Sequence, residues 1–161
     1  MTDERFEIFF TRLMKYEEGL SDDNDDSGGL TKYGISQKAY PDINIKLLTI
    51  ERAKAIYWID YYQPLSIPSI VDDRIAWQIF DFGVNAGVRT SAKMIQRIVG
   101  ANTDGEIGNK TITAINLYED VFPLYIHFIS ERIKFYLDIT DRKPKQIKFL
   151  KGWVLRACEV L

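Results

Sequence analysis

Along almost the whole chain the apolar residues recur at steps of three and four, the repeat of a helix with one buried face, and only one stretch breaks that rhythm long enough to hold a sheet. Residues 3–18 carry Phe6, Phe10, Leu13 and Met14 on one face, with Phe9 beside them, and Gly19 is a natural stop. After Pro41, Thr49 suits an N-cap, Ala53, Ile56, Tyr57 and Tyr61 form a stripe, and Pro64 ends it. Further helices are predicted over 72–82, over 90–99 with Ala92, Ile95, Ile98 and Val99, and after Gly108 through Ile112 and Ile115. Asp120 caps a long helix with the stripe Phe122, Tyr125, Ile126, Ile129, Ile133, Tyr136 and Leu137. Pro144 opens the last helix, whose Ile147, Leu150, Val154, Leu155 and Cys158 are expected to face the core, with Lys151 on the same side. The exception is the acidic, Gly-rich segment 21–29 followed by Leu30 to Ile35, which predicts a loop and a short strand or hairpin arm. The expected class is mainly α, with a small β-hairpin or loop after the first helix.

Composition narrows the function classes. Apolar residues make up 46% and charged residues 27% of 161, a globular balance that excludes fibrous or disordered chains. With 21 Lys plus Arg and 23 Asp plus Glu, the net charge of −2 supplies no global field toward a polyanion, so nucleic acid is not an expected partner. The single cysteine, Cys158, cannot form an internal disulfide. The N-terminus lacks a basic-then-apolar export signal and no run is long and apolar enough to span a membrane. From these residues alone the expectation is a monomer that stays in the cytoplasm until it is released or exported by a non-standard route.

The segment richest in chemistry is Glu17-Glu18-Gly19-Leu20, then Asp26-Ser27-Gly28-Gly29, Thr31 and Gly34-Ile35. A carboxylate at a helix C-terminus meets the negative end of the macrodipole, and apolar surroundings would further favour its protonated form, as a general acid needs. A second carboxylate eight residues later, Asp26, can face the first across a cleft, the two-carboxylate arrangement of glycosidic cleavage. The Thr31 hydroxyl can hold a water or a sugar hydroxyl. Periodicity does not choose between the adjacent glutamates: Glu17 falls nearer the centre of the Phe6, Phe10, Leu13 stripe, and Glu18 at its edge.

These residues resemble the E-G-G, D-P-G-G, T-x-x-G-I signature of glycoside hydrolase family 108, phage-type N-acetylmuramidases with a lysozyme-like helical fold. Leu20 and Ser27 depart from it, standing where the signature has Gly and Pro, while both acidic positions remain. The likeness continues at Asp60-Tyr61-Tyr62-Gln63-Pro64-Leu65, at Phe80-Asp81-Phe82-Gly83-Val84-Asn85-Ala86-Gly87, and at Lys151-Gly152-Trp153 with Arg156. Residues 92–115, with Ile95-Gln96, Asp104-Gly105, Gly108 and Thr111, are similar to small helical peptidoglycan-binding modules. The resemblance implies a lysozyme-like catalytic region over 1–88 and a peptidoglycan-binding-like helical region over 89–161, packed as one globular unit. It implies a peptidoglycan hydrolase of the endolysin type, cleaving glycan strands at N-acetylmuramic acid with Glu18 as general acid and Glu17 as fallback. Asp26 is then base, water holder or hairpin brace, Thr31 assists, and Tyr33, Tyr61, Asp81 and Asn85 are substrate contacts. No metal or organic cofactor is required. The alternatives are a lytic transglycosylase and a non-catalytic wall-binding or secretion-helper protein of the same fold.

Plainer readings stand beside these. As a calcium loop, segment 22–34 fails in either register: starting at Asp22 it has Ser27 where Gly is needed, and starting at Asp23 it has Gly34 where the last ligand belongs. His127, the only histidine, stands four residues before Glu131, but zinc needs more nitrogen or sulfur ligands. A Cys-His hydrolase is disfavoured because Cys158 falls on a stripe expected to be core. Tyr57, Trp58, Tyr61 and Tyr62 suit either sugar stacking or packing. Asp81 and Asn85 either meet glycan or brace helices. Arg142, Lys143, Lys145, Lys148, Lys151 and Arg156 make a basic end that either contacts an anionic wall polymer or is a solvated face.

Overall fold

The first helix, α1 (Glu4–Glu17), buries Phe6, Phe9, Phe10, Leu13 and Met14, the stripe its spacing predicts. The computed structural model describes residues 3–17, the backbone of 20–21, and 30–159. It divides into two compact units, Met1–Asp60 and Tyr61–Leu161. Among the described residues there are seven α-helices and three very short strands, the mainly α class with a small sheet after the first helix.

In the first unit, β1 (Leu20–Ser21), β2 (Thr31–Lys32) and β3 (Ile35–Ser36) form an antiparallel sheet in sequence order. Ser21 pairs with Thr31, and Thr31 with Ser36 on the other side. The β2–β3 link is the two-residue turn Tyr33-Gly34, with φ of +52° and +72°. Positive φ at both central positions is what a tight antiparallel turn asks of its residues. Helix α2 (Ile50–Tyr57) begins at Thr49, whose hydroxyl accepts from the Arg52 N–H at 3.3 Å, the predicted cap. Its Tyr57 ring lies 5.9 Å from Phe10, and the Trp58 ring meets Phe6 edge-on at 4.9 Å. A wider π turn, Trp58–Tyr62, carries the chain into the second unit.

The second unit is built on α3 (Asp73–Ala86), which buries every residue from Ile75 to Gly83. A helix covered on all sides must satisfy its polar groups internally. Around it stand α4 (Val88–Ile98), α5 (Asn109–Asn116), α6 (Val121–Arg142) and α7 (Ile147–Cys158). Asp72 caps α3 and Asp120 caps α6. Pro144 opens a 3-10 turn, Pro144–Gln146, rather than α7 itself.

Two expected core faces are corrected. On α6 the buried residues are Leu124, Tyr125, Phe128, Arg132, Tyr136 and Thr140, while Phe122, Ile126 and Leu137 are exposed. On α7 the buried residues are Arg156 and Ala157, and Ile147, Leu155 and Cys158 face solvent. One ion network explains both. Arg132 Nη2 donates to Asp81 Oδ2 at 2.8 Å and Arg156 Nε to Asp81 Oδ1 at 3.0 Å. Asp81 and Arg132 are fully buried. A buried carboxylate demands opposite charge more strongly than a half-exposed Ile or Leu demands cover, and the two arginines set the inward faces of their helices.

Candidate functional site

In the first unit the candidate chemistry gathers where α1 ends against the hairpin. The turn at Tyr33-Gly34 is pinned from two sides. The Tyr57 hydroxyl, almost wholly buried, donates to the Tyr33 carbonyl at 2.9 Å. A Cβ placed on Gly34 would lie 2.4 Å from the Tyr57 hydroxyl oxygen and 2.7 Å from Glu17 Oε2. Glycine suits the positive φ at this position, and any added Cβ would also have to displace the ends of the Tyr57 and Glu17 side chains. Glu17, the last residue of α1, has its carboxyl group at the hairpin turn.

Thr31 is half-buried on the central strand, and Tyr33 is half-buried at the turn, with Lys32 Nζ 5.3 Å from its ring centroid. Thr31 and Tyr33 are therefore brought onto one small hairpin. Glu18 and Asp26 lie outside the described residues. An open depression of about 550 Å³ beside the hairpin is lined by Leu30, Gln37, Pro41, Asp42, Ile43, Asn44 and Lys46. None of the predicted site residues that the structure describes is among them.

In the second unit, Tyr61 is half-buried in the π turn, and Asn85 is exposed on the last turn of α3. Asp81, one turn before Asn85, has both carboxylate oxygens engaged by arginines and no surface to offer a glycan, so of its two readings the geometry supports the brace. Gln78 extends the network, accepting from Arg132 Nη1 and donating to the Ala157 carbonyl at 2.9 Å.

The residues that resemble a peptidoglycan-binding pattern form one hydrogen-bonded brace. The fully buried Gln96 donates from Nε2 to Asp104 Oδ1 at 2.8 Å, to the Glu106 carbonyl at 3.0 Å and to Thr111 Oγ1 at 3.3 Å. Its Oε1 accepts from the Gly105 N–H at 2.9 Å, where Gly105 has φ +84°. The Glu106 N–H, and after it the Gln96 amide, hold the Asp104 carboxyl below the ordinary carboxylate value. Gln96, Asp104, Gly105 and Thr111 thus share one role, fixing the α4–α5 turn.

Residues 10–87 match the family model for glycosyl hydrolase 108, and residues 90–158 match that of a predicted peptidoglycan domain. The chain pairs a glycosyl hydrolase 108 domain with a predicted peptidoglycan domain. It is a lysozyme-like glycoside hydrolase that acts on peptidoglycan. The solved structure of SagA from Brucella abortus is similar over 97% of this chain and 91% of that chain, with TM-score 0.83 and 24% identity, which shows a shared fold. No curated protein matches the chain. Within the glycosyl hydrolase 108 domain, reasoning from sequence missed the anchor made by Tyr57 and Gly34. Tyr57 reads there as one more aromatic on a helical stripe, with no signal that its hydroxyl reaches a turn 24 residues earlier.

His127 Nε2 lies 3.9 Å from Glu131, which also pairs with Lys134 at 2.7 Å, and among the described residues no group of His, Cys, Asp and Glu is arranged to hold a metal ion.

Proposed function

We propose that this glycoside hydrolase is an N-acetylmuramidase in which Glu18 is the general acid. The observation that supports it most is the family match over residues 10–87, which includes the segment Glu18-Gly19, Asp26-Ser27-Gly28-Gly29, Thr31, Gly34-Ile35. Local geometry adds to it. Glu18 follows directly on α1, whose last residue already has its carboxyl group at the hairpin that carries Thr31 and Tyr33.

In this reading Glu18 gives its proton to the glycosidic oxygen on the far side of N-acetylmuramic acid. The C–O bond breaks with its electron pair leaving on that oxygen, and the sugar develops oxocarbenium character. Asp26 stabilises that charge or takes a proton from the attacking water, whose oxygen ends on the anomeric carbon. Thr31 supports the water or a sugar hydroxyl, and Tyr33, Tyr61 and Asn85 contact the glycan. Asp81 contributes by keeping α3, which carries Asn85, tied to α6 and α7.

The test is turnover of purified peptidoglycan by Glu18→Gln and, in parallel, Glu17→Gln. Loss of a general acid lowers turnover by roughly 10² to 10⁴, and this is expected for Glu18→Gln alone. Wild-type turnover by a folded Glu18→Gln protein overturns the assignment, and the loss appearing in Glu17→Gln instead moves the acid one residue back. Mass spectrometry of the released muropeptides reads the chemistry. A reducing muramic end is expected, and an end lighter by one water would make the enzyme a lytic transglycosylase. Binding to sacculi without release of soluble fragments would leave a wall-binding protein.

A further inference from the structure

Helix α7 presents an unusual outer side. From Arg142 to Cys158 the chain has no Asp or Glu, and Lys143, Lys145, Lys148 and Lys151 are all exposed. The nearest acidic residues in sequence are Asp138 and Asp141 on α6 and Glu159 after α7. Interleaved with the lysines, Ile147 is 65% exposed and Leu155 63%. At about 100° per residue, Ile147, Lys151, Leu155 and Cys158 fall within a stripe roughly 80° wide, with Lys148 at its edge. Trp153, Arg156 and Ala157 point the other way, and Arg156 is turned inward to pair with Asp81, which it shares with Arg132. The outward stripe is the very face whose spacing predicted core.

Three occupants can be compared by chemistry. A polyanionic glycan would meet the lysines and leave Ile147 and Leu155 in water. A second copy of the same face would set lysines against lysines, which repels. An anionic bilayer uses both sets at once, taking the apolar side chains at the acyl boundary while the ammonium groups meet phosphates. Among the described residues no helix is long and apolar enough to cross a membrane, so the contact is peripheral. We propose that α7 docks the protein, side-on and reversibly, onto an anionic phospholipid surface. This goes beyond the muramidase reading and does not depend on it.

The experiment is co-sedimentation of the full chain with phosphatidylcholine vesicles, and with vesicles of phosphatidylcholine and phosphatidylglycerol in equal parts. The protein is expected to sediment only with the anionic vesicles, several-fold less at high salt. Each lysine at such a surface contributes about a fivefold preference, so Lys148→Glu with Lys151→Glu should lower partition by at least about tenfold. Ile147→Ser with Leu155→Ser leaves the charge unchanged and alters only exposed positions, and should also lower partition about tenfold. A wild-type protein that stays in solution with both vesicles overturns the proposal. So does binding that ignores Ile147→Ser with Leu155→Ser, the behaviour of a lysine-only polyanion contact, or a dimer in sedimentation velocity that this pair of changes dissolves. Vesicle partition and lipid-free peptidoglycan turnover are separate readouts, so this inference and the Glu18 assignment fail independently.

Discussion

Asp81 in the second unit and Glu17 in the first are both acidic side chains in contact with the interior of their units, but they are held in opposite ways. Asp81 is fully buried and meets two guanidinium groups. Glu17 is half-buried at the end of a helix, where its carboxyl group crowds a glycine turn beside a phenol. Full pairing with two guanidinium groups makes a buried carboxylate part of the frame. A partly exposed carboxylate at a turn instead limits what side chain the turn beside it can carry. The difference separates acidic residues that hold three helices together from those that shape the neighbourhood of the proposed acid.

Four changes would break or sharpen this contrast. Asp81→Ala strands two buried arginines and is expected to destabilise the fold by about 3–5 kcal/mol, measured by denaturant unfolding. A loss below 1 kcal/mol would mean that the network is dispensable. Gly34→Val forces a branched side chain onto positive φ and into the Tyr57 hydroxyl, at a cost of about 1–3 kcal/mol. Its turnover of peptidoglycan should fall more than its stability does, and equal loss of both would make the hairpin a purely structural element. Tyr57→Phe leaves the Tyr33 carbonyl without its 2.9 Å donor and should cost about 1 kcal/mol while reducing turnover. The smallest effect is expected from Asp72→Ala, about 1 kcal/mol or less for loss of the α3 cap, with its pH dependence as the signature.

For Asp72 the sign follows from competing effects. Burial pushes its carboxyl up, but the Arg74 guanidinium with the N–H groups of Ile75 and Arg74 outweighs it and holds the pKa below the ordinary carboxylate value. The folded state therefore favours the ionised form. The cap's contribution is complete above the unfolded carboxylate pKa and is lost as pH falls through that value toward the depressed folded one. The stability difference between wild type and Asp72→Ala should vanish at acid pH, and a gap that persists there would refute the electrostatic account.

Much of the fold is legible before any coordinates. The Thr49 and Asp120 caps, the stripe of α1 and the hairpin after it all rest on local preferences that tertiary packing did not override. The candidate site is half legible. Thr31 and Tyr33 sit together on the hairpin as their proximity in sequence suggests, whereas the hydroxyl of Tyr57 and the need for glycine at position 34 come from segments far apart in sequence.

What the residues determine by themselves is where helices begin, where the chain must turn and which family signature it carries, because these depend on neighbours within a few positions. Only the tertiary structure decides which side of α6 and α7 faces inward. Both helices bear apolar residues around more than one face, and periodicity cannot rank them. The choice follows from Asp81, a buried negative charge that requires Arg132 and Arg156 at hydrogen-bond distance and so turns Ile147, Leu155 and Cys158 out to the solvent.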